Sequence, residues 1–335
     1  MALSDLVFSD LFVDISAANS WFKATPDSMT VSPIPPECEA ELEDFRQCLL
    51  APSNGSSFRI NWPDASGIRL RVQRMDVTGA NPIFVCRRFN LAPGPLQSLG
   101  IPAAIAEKML ADDMMDGLVV FFGKAGAGKT TTAASFVLSR LEKFGGVAWT
   151  IENPAEMLLE GKHGKGWCYQ TEAKSDEEIG PAIKNLMRAT PNIIFIGELR
   201  NQAEVREALA AATSGHLVVA TFHAADLQSG LARLARFGGQ EQGAASLADA
   251  LKLAMHLSLH NHAGGQKPVG SSLGGFLSDA LSKGTGTPPR ILRVEPLWVT
   301  GPTADGVRSI IRSGKYVELA TPIEQQRRAL MSRSA

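Results

Sequence analysis

Residues 123–130 read GKAGAGKT, and no other stretch limits what this 335-residue chain can fold into as tightly. The spacing is G-x-x-x-x-G-K-[ST], a phosphate-cradling loop that works only between a buried strand and a helix. Both neighbours are present. Residues 118–122 (LVVFF) form a short apolar, β-branched and aromatic run, and residues 130–144 (TTTAASFVLSRLEKF) carry a helical pattern.

Glycines in such a loop let successive backbone N–H groups turn inward at the start of a helix. Unpaired donors and the positive end of the helix dipole favour a polyanion there. Gly123, Gly128, Lys129 and Thr130 occupy the fixed positions, and the backbone of Ala125, Gly126, Ala127 and Thr131 completes the cradle. Lys129 is expected to reach the β- and γ-phosphates, and Thr130 to place its hydroxyl on Mg²⁺. The expected ligand is a nucleoside triphosphate with Mg²⁺, which the family resemblance given below makes ATP.

A chain of this length buries a large core and divides, as a prior, into about two domains. The formal charge of −1, with 20% charged and 44% hydrophobic residues, gives no global pull toward nucleic acid or an anionic membrane. Cys38, Cys48, Cys86 and Cys168 show no C-x-x-C pair, so they read as reduced, buried small side chains. The first residues, MALSDLVFSDLF, are acidic where a signal peptide is basic, and no apolar run reaches about eighteen residues. A cytoplasmic location is expected, with membrane association only through partners.

Residues 1–95 alternate short apolar segments with Gly, Pro, Asn and Asp around one helix near 36–50, a pattern predicting a small α+β domain. Residues 96–101 read as a linker, and 102–335 as a second domain. There, strands at 118–122, 147–152, 193–197 and 216–222 alternate with helices at 129–144, 177–189 and 202–214. That order predicts an α/β fold with a mostly parallel sheet between helices. Ser175 and Glu178 have capping-box spacing, which puts Pro181 near a first helical turn. From His256 to Pro289 the chain turns to Gly, Ser, His and Lys, which reads as a flexible insertion, about 261–288, with His256, His260 and His262 solvated.

A phosphate-cradling loop needs carboxylates for metal and water, a sensor of the terminal phosphate, and positive charge for the transition state. Glu198 follows the apolar run at 193–197, where a buried strand ends beside the loop. Glu152 and Glu156 follow the strand at 147–151 and fit roles in water activation or metal positioning, or simply solvated loop charge. His216 and His223 stand at the two ends of one strand. Arg69, Arg71, Arg74, Arg87 and Arg88 form a basic group on neighbouring N-terminal strands, either a solvated face or a phosphate clamp.

Taken together, GKAGAGKTTT, TIENPAE, RATPNIIFIGELRN and TSGHLVVATFH resemble, in order and approximate spacing, the Walker A, Asp box, Walker B and His box of type II/type IV secretion and pilus ATPases. The resemblance spans about residues 55–260 and is nearest the PilT-like branch, which the opening SDLFVD and the late GVRSIIR also resemble. It implies a RecA-like P-loop NTPase domain with a smaller, PAS-like N-terminal domain. Lys129 and Thr130 then match the Walker A pair, Glu198 the Walker B glutamate, Glu152 and Glu156 the Asp box, and His216 and His223 the His box. The metal set becomes Thr130 and Glu198, and Arg71, Arg74, Arg87 and Arg88 become candidates for arginines donated to a neighbour's nucleotide. The implied assembly is a homo-oligomer, expected as a hexamer, on an inner-membrane platform or secretion-channel protein, with no direct nucleic acid contact. Asn153, Asn192 and Asn201 depart from the family's usual Asp, removing negative charge from the expected nucleotide side. Two other classes fit the loop: a RecA-like DNA motor and a non-hydrolysing nucleotide-binding assembly subunit.

Overall fold

The computed structural model describes residues 2–15, 20–24, 28–51, 55–64, 67–78, 81–89, 92–239, 242–261 and 290–331. Two compact units emerge, Met1–Leu91 with Glu156–Leu158, and Ala92–Ala155 with Leu159–Ala335.

The first unit is an antiparallel sheet with one helix on it. Its strands are β1 (Asp10–Asp14), β2 (Trp21–Lys23), β3 (Ser32–Pro33), β4 (Ser57–Trp62), β5 (Ile68–Met75) and β6 (Ile83–Arg88), in the order β3-β2-β1-β6-β5-β4. Helix α1 (Glu39–Leu49) turns Leu42, Phe45 and Leu49 onto Leu11, Val13, Leu70, Val72, Phe84 and Cys86. Strand alternation then sends Asp10, Arg59, Arg71 and Arg87 to the opposite face.

The second unit holds a sheet of order β14-β13-β7-β12-β11-β8-β10-β9. In chain order these are β7 (Gly117–Gly123), β8 (Gly146–Glu152), β9 (Gly161–His163), β10 (Gly166–Glu172), β11 (Ile193–Ile196), β12 (Leu217–His223), β13 (Leu251–Asn261) and β14 (Arg290–Trp298). From β13 through β10 all pairs are parallel; β14 and β9 run antiparallel at the two edges. β7 is buried along its whole length, as a central parallel strand covered on both faces must be.

The helices are α2 (Ala103–Met109), α3 (Lys129–Phe144), α4 (Asp176–Leu186), α5 (Gln202–Thr213), α6 (Leu227–Gly238) and α7 (Gly243–Ala250), followed by helices Ala304–Arg312 and Ala320–Met331. Period two along β7 assigns its two faces. Phe121 meets Phe136 of α3 edge-on at 6.2 Å. Leu118, Val120 and Phe122 share the other core with Leu209 of α5, Leu231 of α6 and Leu247 of α7. Arg140 of α3 donates to the carbonyls of Met109 and Ala111 (3.2 Å each), and burial pushes its guanidinium down to about 10.

Several expectations change on contact with the structure. Ser175 precedes α4 but makes no capping bond, and Glu178 accepts from the Lys174 N–H instead (2.9 Å). Pro181 lies within α4, beyond its first turn, where the ring removes one helical donor without ending the helix. Residues 96–99, read as linker, form a 3₁₀ turn in the second unit with Leu96 buried. β13 runs on through Asn261, so His256 and His260 are strand residues rather than part of a flexible insertion. The alternation of Met255, Leu257 and Leu259 with His256, Ser258 and His260 is the period-two signal that composition obscured. His256 is half-buried, while His260 is exposed and shares a 2.9 Å hydrogen bond with the Ser258 hydroxyl. His262 and nearly all of the expected insertion lie outside the described residues. Cys38, Cys86 and Cys168 are buried free thiols; Cys48 is half-buried.

Gly230 brings α6 against the strand that feeds the loop, since a Cβ there would lie 2.7 Å from the Phe122 ring. Alanine is the better helix former by about 1 kcal/mol, yet overpacking a closed core costs about 1–3 kcal/mol. Gly230→Ala is therefore expected to lower stability, read as a drop in urea midpoint with unchanged m-value.

Candidate functional site

The loop after β7 takes the shape its sequence requires. Gly123 passes so close to β13 that a Cβ would sit 2.6 Å from the Leu257 carbonyl oxygen. Gly128 holds a left-handed φ of 85° at the start of α3, a conformation costly to any residue with a Cβ. No side chain caps this helix, and its first intrahelical bond is Thr132 N–H to the Gly128 carbonyl (2.9 Å). The amides of the first turn lie before that bond, where a helix cannot satisfy its own donors. Lys129 is buried and donates from Nζ to the Lys124 carbonyl (3.0 Å), which folds its ammonium back over the loop. Thr130 and Thr131 are half-buried; Ala125 and Gly126 are exposed, and Ala127 is buried.

The parallel sheet delivers further groups to the same edge. His223 is in register with Gly123, one strand away, so the two Cα atoms are about 5 Å apart. Glu198 follows β11, two strands from β7, or about 10 Å laterally. Its height is set by Gly197 N–H bonding to the Ile151 carbonyl, by Thr221 Oγ1 donating to the Gly197 carbonyl (2.6 Å), and by Leu199 N–H bonding to the Thr221 carbonyl. Glu152 ends β8, one strand further out, and is buried. Its Oε1 accepts from Thr150 Oγ1 and from Gln170 Nε2, both at 2.8 Å. Gly197 leaves room for it, since a Cβ there would press on Glu152 Cγ at 3.1 Å.

Other expected site residues are not brought to this edge. His216 precedes β12 and sits at the opposite end of the strand from His223, its Nδ1 2.8 Å from the Pro191 carbonyl. Seven strand residues at about 3.3 Å each separate it from the loop. Glu156 clusters with the first unit, where it acts on Arg71.

The arginines separate by strand parity. Arg71 is in register with Arg87 on one side and Arg59 on the other, a row of three across β4, β5 and β6 that ends at Asp10 of β1. Arg87 Nε donates to Asp10 Oδ1 at 2.6 Å. Burial, and then the neighbouring Arg87, lower the Arg71 guanidinium below its ordinary value against the pull of Glu156 and Asp10. Arg74 and Arg88 have the other parity and do not join the row. Arg74 Nε donates to Asp76 (3.2 Å), while Arg88 donates to the Leu6 carbonyl (3.1 Å) and lies over the Phe8 ring. Arg59 was missed because only cross-strand register, not position along the chain, aligns it with Arg71.

Two further side chains that the sequence reading passed over stand beside Glu198. Arg200 Nε donates to Glu198 Oε2 (2.9 Å) and its Nη1 to Asp176 Oδ1 (2.8 Å). Asn153 Nδ2 donates to the same Asp176 oxygen (2.8 Å). Asn201 caps α5, accepting from Glu204 N–H and donating to Glu204 Oε1 (2.6 Å). Burial raises the Glu204 carboxyl, while hydrogen bonds from the Arg200 and Asn201 backbones pull the other way. Asn192 accepts from Val147 N–H (2.9 Å) at the sheet edge away from the loop, so its charge state does not bear on a nucleotide there.

Several known proteins are similar to this chain in sequence or in fold. The chain is 31% identical over 157 residues to the type IV pilus ATPase PilU of Pseudomonas aeruginosa, covering 46% of this chain and 39% of that protein. It is 39% identical over 124 residues to the type IV pilus assembly ATPase TfpB of Acinetobacter baylyi, covering 37% of this chain and 20% of that protein. The chain thus spans less than half the length of either relative. Its fold matches the crystal structure of the pilus retraction motor PilT with bound ADP, with a TM-score of 0.70 at 23% identity over 96% of this chain and 87% of that one. It also matches the Legionella pneumophila ATPase DotB, with a TM-score of 0.65 at 18% identity over 95% and 84% of the two chains. The Type II/IV secretion system protein model matches residues 52–271, more than half of the sequence. The chain belongs to the type II/IV secretion system protein family.

Proposed function

We propose that this protein is an ATP hydrolase whose turnover drives a type IV pilus or a type IV secretion or conjugation machine. The observation that carries the reading is the edge described above, where an uncapped helix N-terminus, Lys129, His223 and Glu198 meet at the ends of adjacent parallel strands. Backbone amides and Lys129 bind and orient the phosphates of ATP. Glu198 positions the attacking water for in-line displacement at the γ-phosphate, and His223 senses that phosphate from the next strand. Glu152, buried and hydrogen-bonded, supports the edge from further out.

The chemistry of the donor set fits Mg²⁺, because the Thr130 hydroxyl and the Glu198 carboxylate, both hard oxygen groups, would be the residues to hold it beside the phosphates, directly or through water. When bound, Mg²⁺ supplies charge neutralisation on the phosphate oxygens.

Positive charge for the transition state comes, in this reading, from a neighbouring copy, with Arg71 and Arg87 as the donors that share a face. A cytoplasmic homo-oligomer, a hexamer, working against an inner-membrane platform or secretion-channel protein is the assembly that follows. Among the described residues no helix is long and apolar enough to cross a membrane, so the proposed membrane contact goes through partners.

Two measurements test the reading. Lys129→Ala should lose fluorescent-nucleotide binding, and Glu198→Gln should keep it while hydrolysis falls by about 100-fold or more, the scale of removing a group that acts in the transition state. Parental turnover in either variant would contradict the assignment. Donation between copies predicts complementation. Mixing Lys129→Ala chains with Arg71→Ala/Arg87→Ala chains should restore part of the activity that each lacks alone, because some interfaces then combine an intact loop with intact arginines. No recovery in verified mixed oligomers would exclude donation by these residues.

A further inference from the structure

The Glu198 carboxylate is not held by the loop or by its own strand. It is held by Arg200, two residues on, and Arg200 is held by Asp176, the first residue of α4. We infer that Arg200 is a positioning residue for Glu198, and that Asp176, fixed by Asn153, sets Arg200; the inference rests on Glu198 being the hydrolytic carboxylate.

The geometry supports a positioning role in three ways. Arg200 uses two different nitrogens, Nε toward Glu198 Oε2 and Nη1 toward Asp176 Oδ1, so the planar guanidinium bridges two carboxylates at a fixed angle. A lysine, with one flexible point charge, cannot reproduce that bridge. The Arg200 backbone is fixed as well, its N–H donating at 2.6 Å to Glu204 Oε2, and Glu204 is wholly buried at the start of α5. Asp176 sits where the α4 dipole favours a carboxylate, and its Oδ1 also accepts from Asn153 Nδ2, so the far end of the bridge is anchored twice.

The chain of contacts runs from the end of β8 through the start of α4 to the end of β11, and so ties Glu198 to the strand that bears Glu152. The bland alternative is a surface ion-pair network. Side-chain exposures of 41% for Arg200, 36% for Asp176 and 32% for Glu198 mean that such pairs add little to stability. Removing them should therefore leave the fold intact, and any effect on turnover has to come from where Glu198 points. Water positioning is sensitive to displacements of about 1 Å, which cost on the order of 100-fold in rate.

The test uses the full chain with Arg200→Gln, Arg200→Lys, Asp176→Asn and the double Arg200→Gln/Asp176→Asn. Expected for Arg200→Gln are a kcat reduced about 10- to 100-fold, fluorescent-ADP affinity within about twofold of the parent, and an unchanged Tm. The same variant should lose trapping of ADP by aluminium fluoride, which reads the transition-state arrangement independently of turnover. Arg200→Lys should recover little, Asp176→Asn should lose less than Arg200→Gln, and the double variant should be no worse than Arg200→Gln because the two act in series. Unchanged kcat and trapping in Arg200→Gln would overturn the inference, as would parallel losses of kcat, ADP affinity and Tm, or an additive double variant. A parental chain that shows no turnover would overturn the hydrolytic reading and this inference together. Parental turnover that disappears in Lys129→Ala but survives in Arg200→Gln overturns the inference alone.

Discussion

A buried parallel strand that ends in a glycine pressed against its neighbour's backbone is the constraint on which the site depends. Gly123 has no room for a side chain beside Leu257, and Gly128 must adopt a left-handed conformation before α3 can begin. Between those two points the chain has few alternatives. The helix therefore starts at Lys129, with its first-turn amides at the edge of the sheet and Lys129 folded over the loop. Everything else reaches that place because the strands on either side of β7 run parallel to it, so their C-terminal ends share one edge.

Parallel order also grades the roles. His223 is one strand from the loop, Glu198 two and Glu152 three. In the proposed mechanism the group in the first position meets the terminal phosphate, the one in the second holds water or a cation beside it, and the one in the third acts through others. Glu152 fits that last description, since its oxygen is already engaged by Thr150 and Gln170. Two histidines in one motif, by contrast, cannot both serve the loop when a seven-residue strand lies between them. His216 takes the structural task of joining strand starts at the far edge.

What could be read from the chain was what depends on neighbours in sequence. The strand before the loop and the span of α3 from 129 to 144 follow from period and turn chemistry and emerged within a residue or so, whereas β9 and β10, which lie between β8 and α4, were not picked out. Non-local choices were not legible. Whether Arg74 joins Arg71 depends on strand parity combined with register against β6, and Arg59 enters the row only through its register with Arg71 across β4 and β5. The Ser175 spacing suited a capping box, but Glu178 found the Lys174 amide instead, a competition between two nearby donors that spacing does not decide. His256 was hidden because glycine- and serine-rich sequence beyond Asn261 masked the alternation just before it.

Asn153, Asn192 and Asn201, which the sequence resemblance marks as standing where Asp is expected, illustrate how a charge count misleads without positions. Asn192 lies at the far edge, and Asn201 uses its amide to cap α5 while donating to a buried glutamate, a bond a carboxylate could not make. Asn153 donates to Asp176 Oδ1, and so joins the group that reaches Glu198 through Arg200. A carboxylate at 153 would face that of Asp176 with no proton between them, so the two acids compete for one place and the chain keeps the one on α4. The carboxylate that stands here is that of Asp176, the residue that grips Arg200. The edge thus retains the carboxylates of Glu152, Asp176 and Glu198, with Arg200 bridging the last two, acidic groups of the kind a cation carried in on phosphate requires.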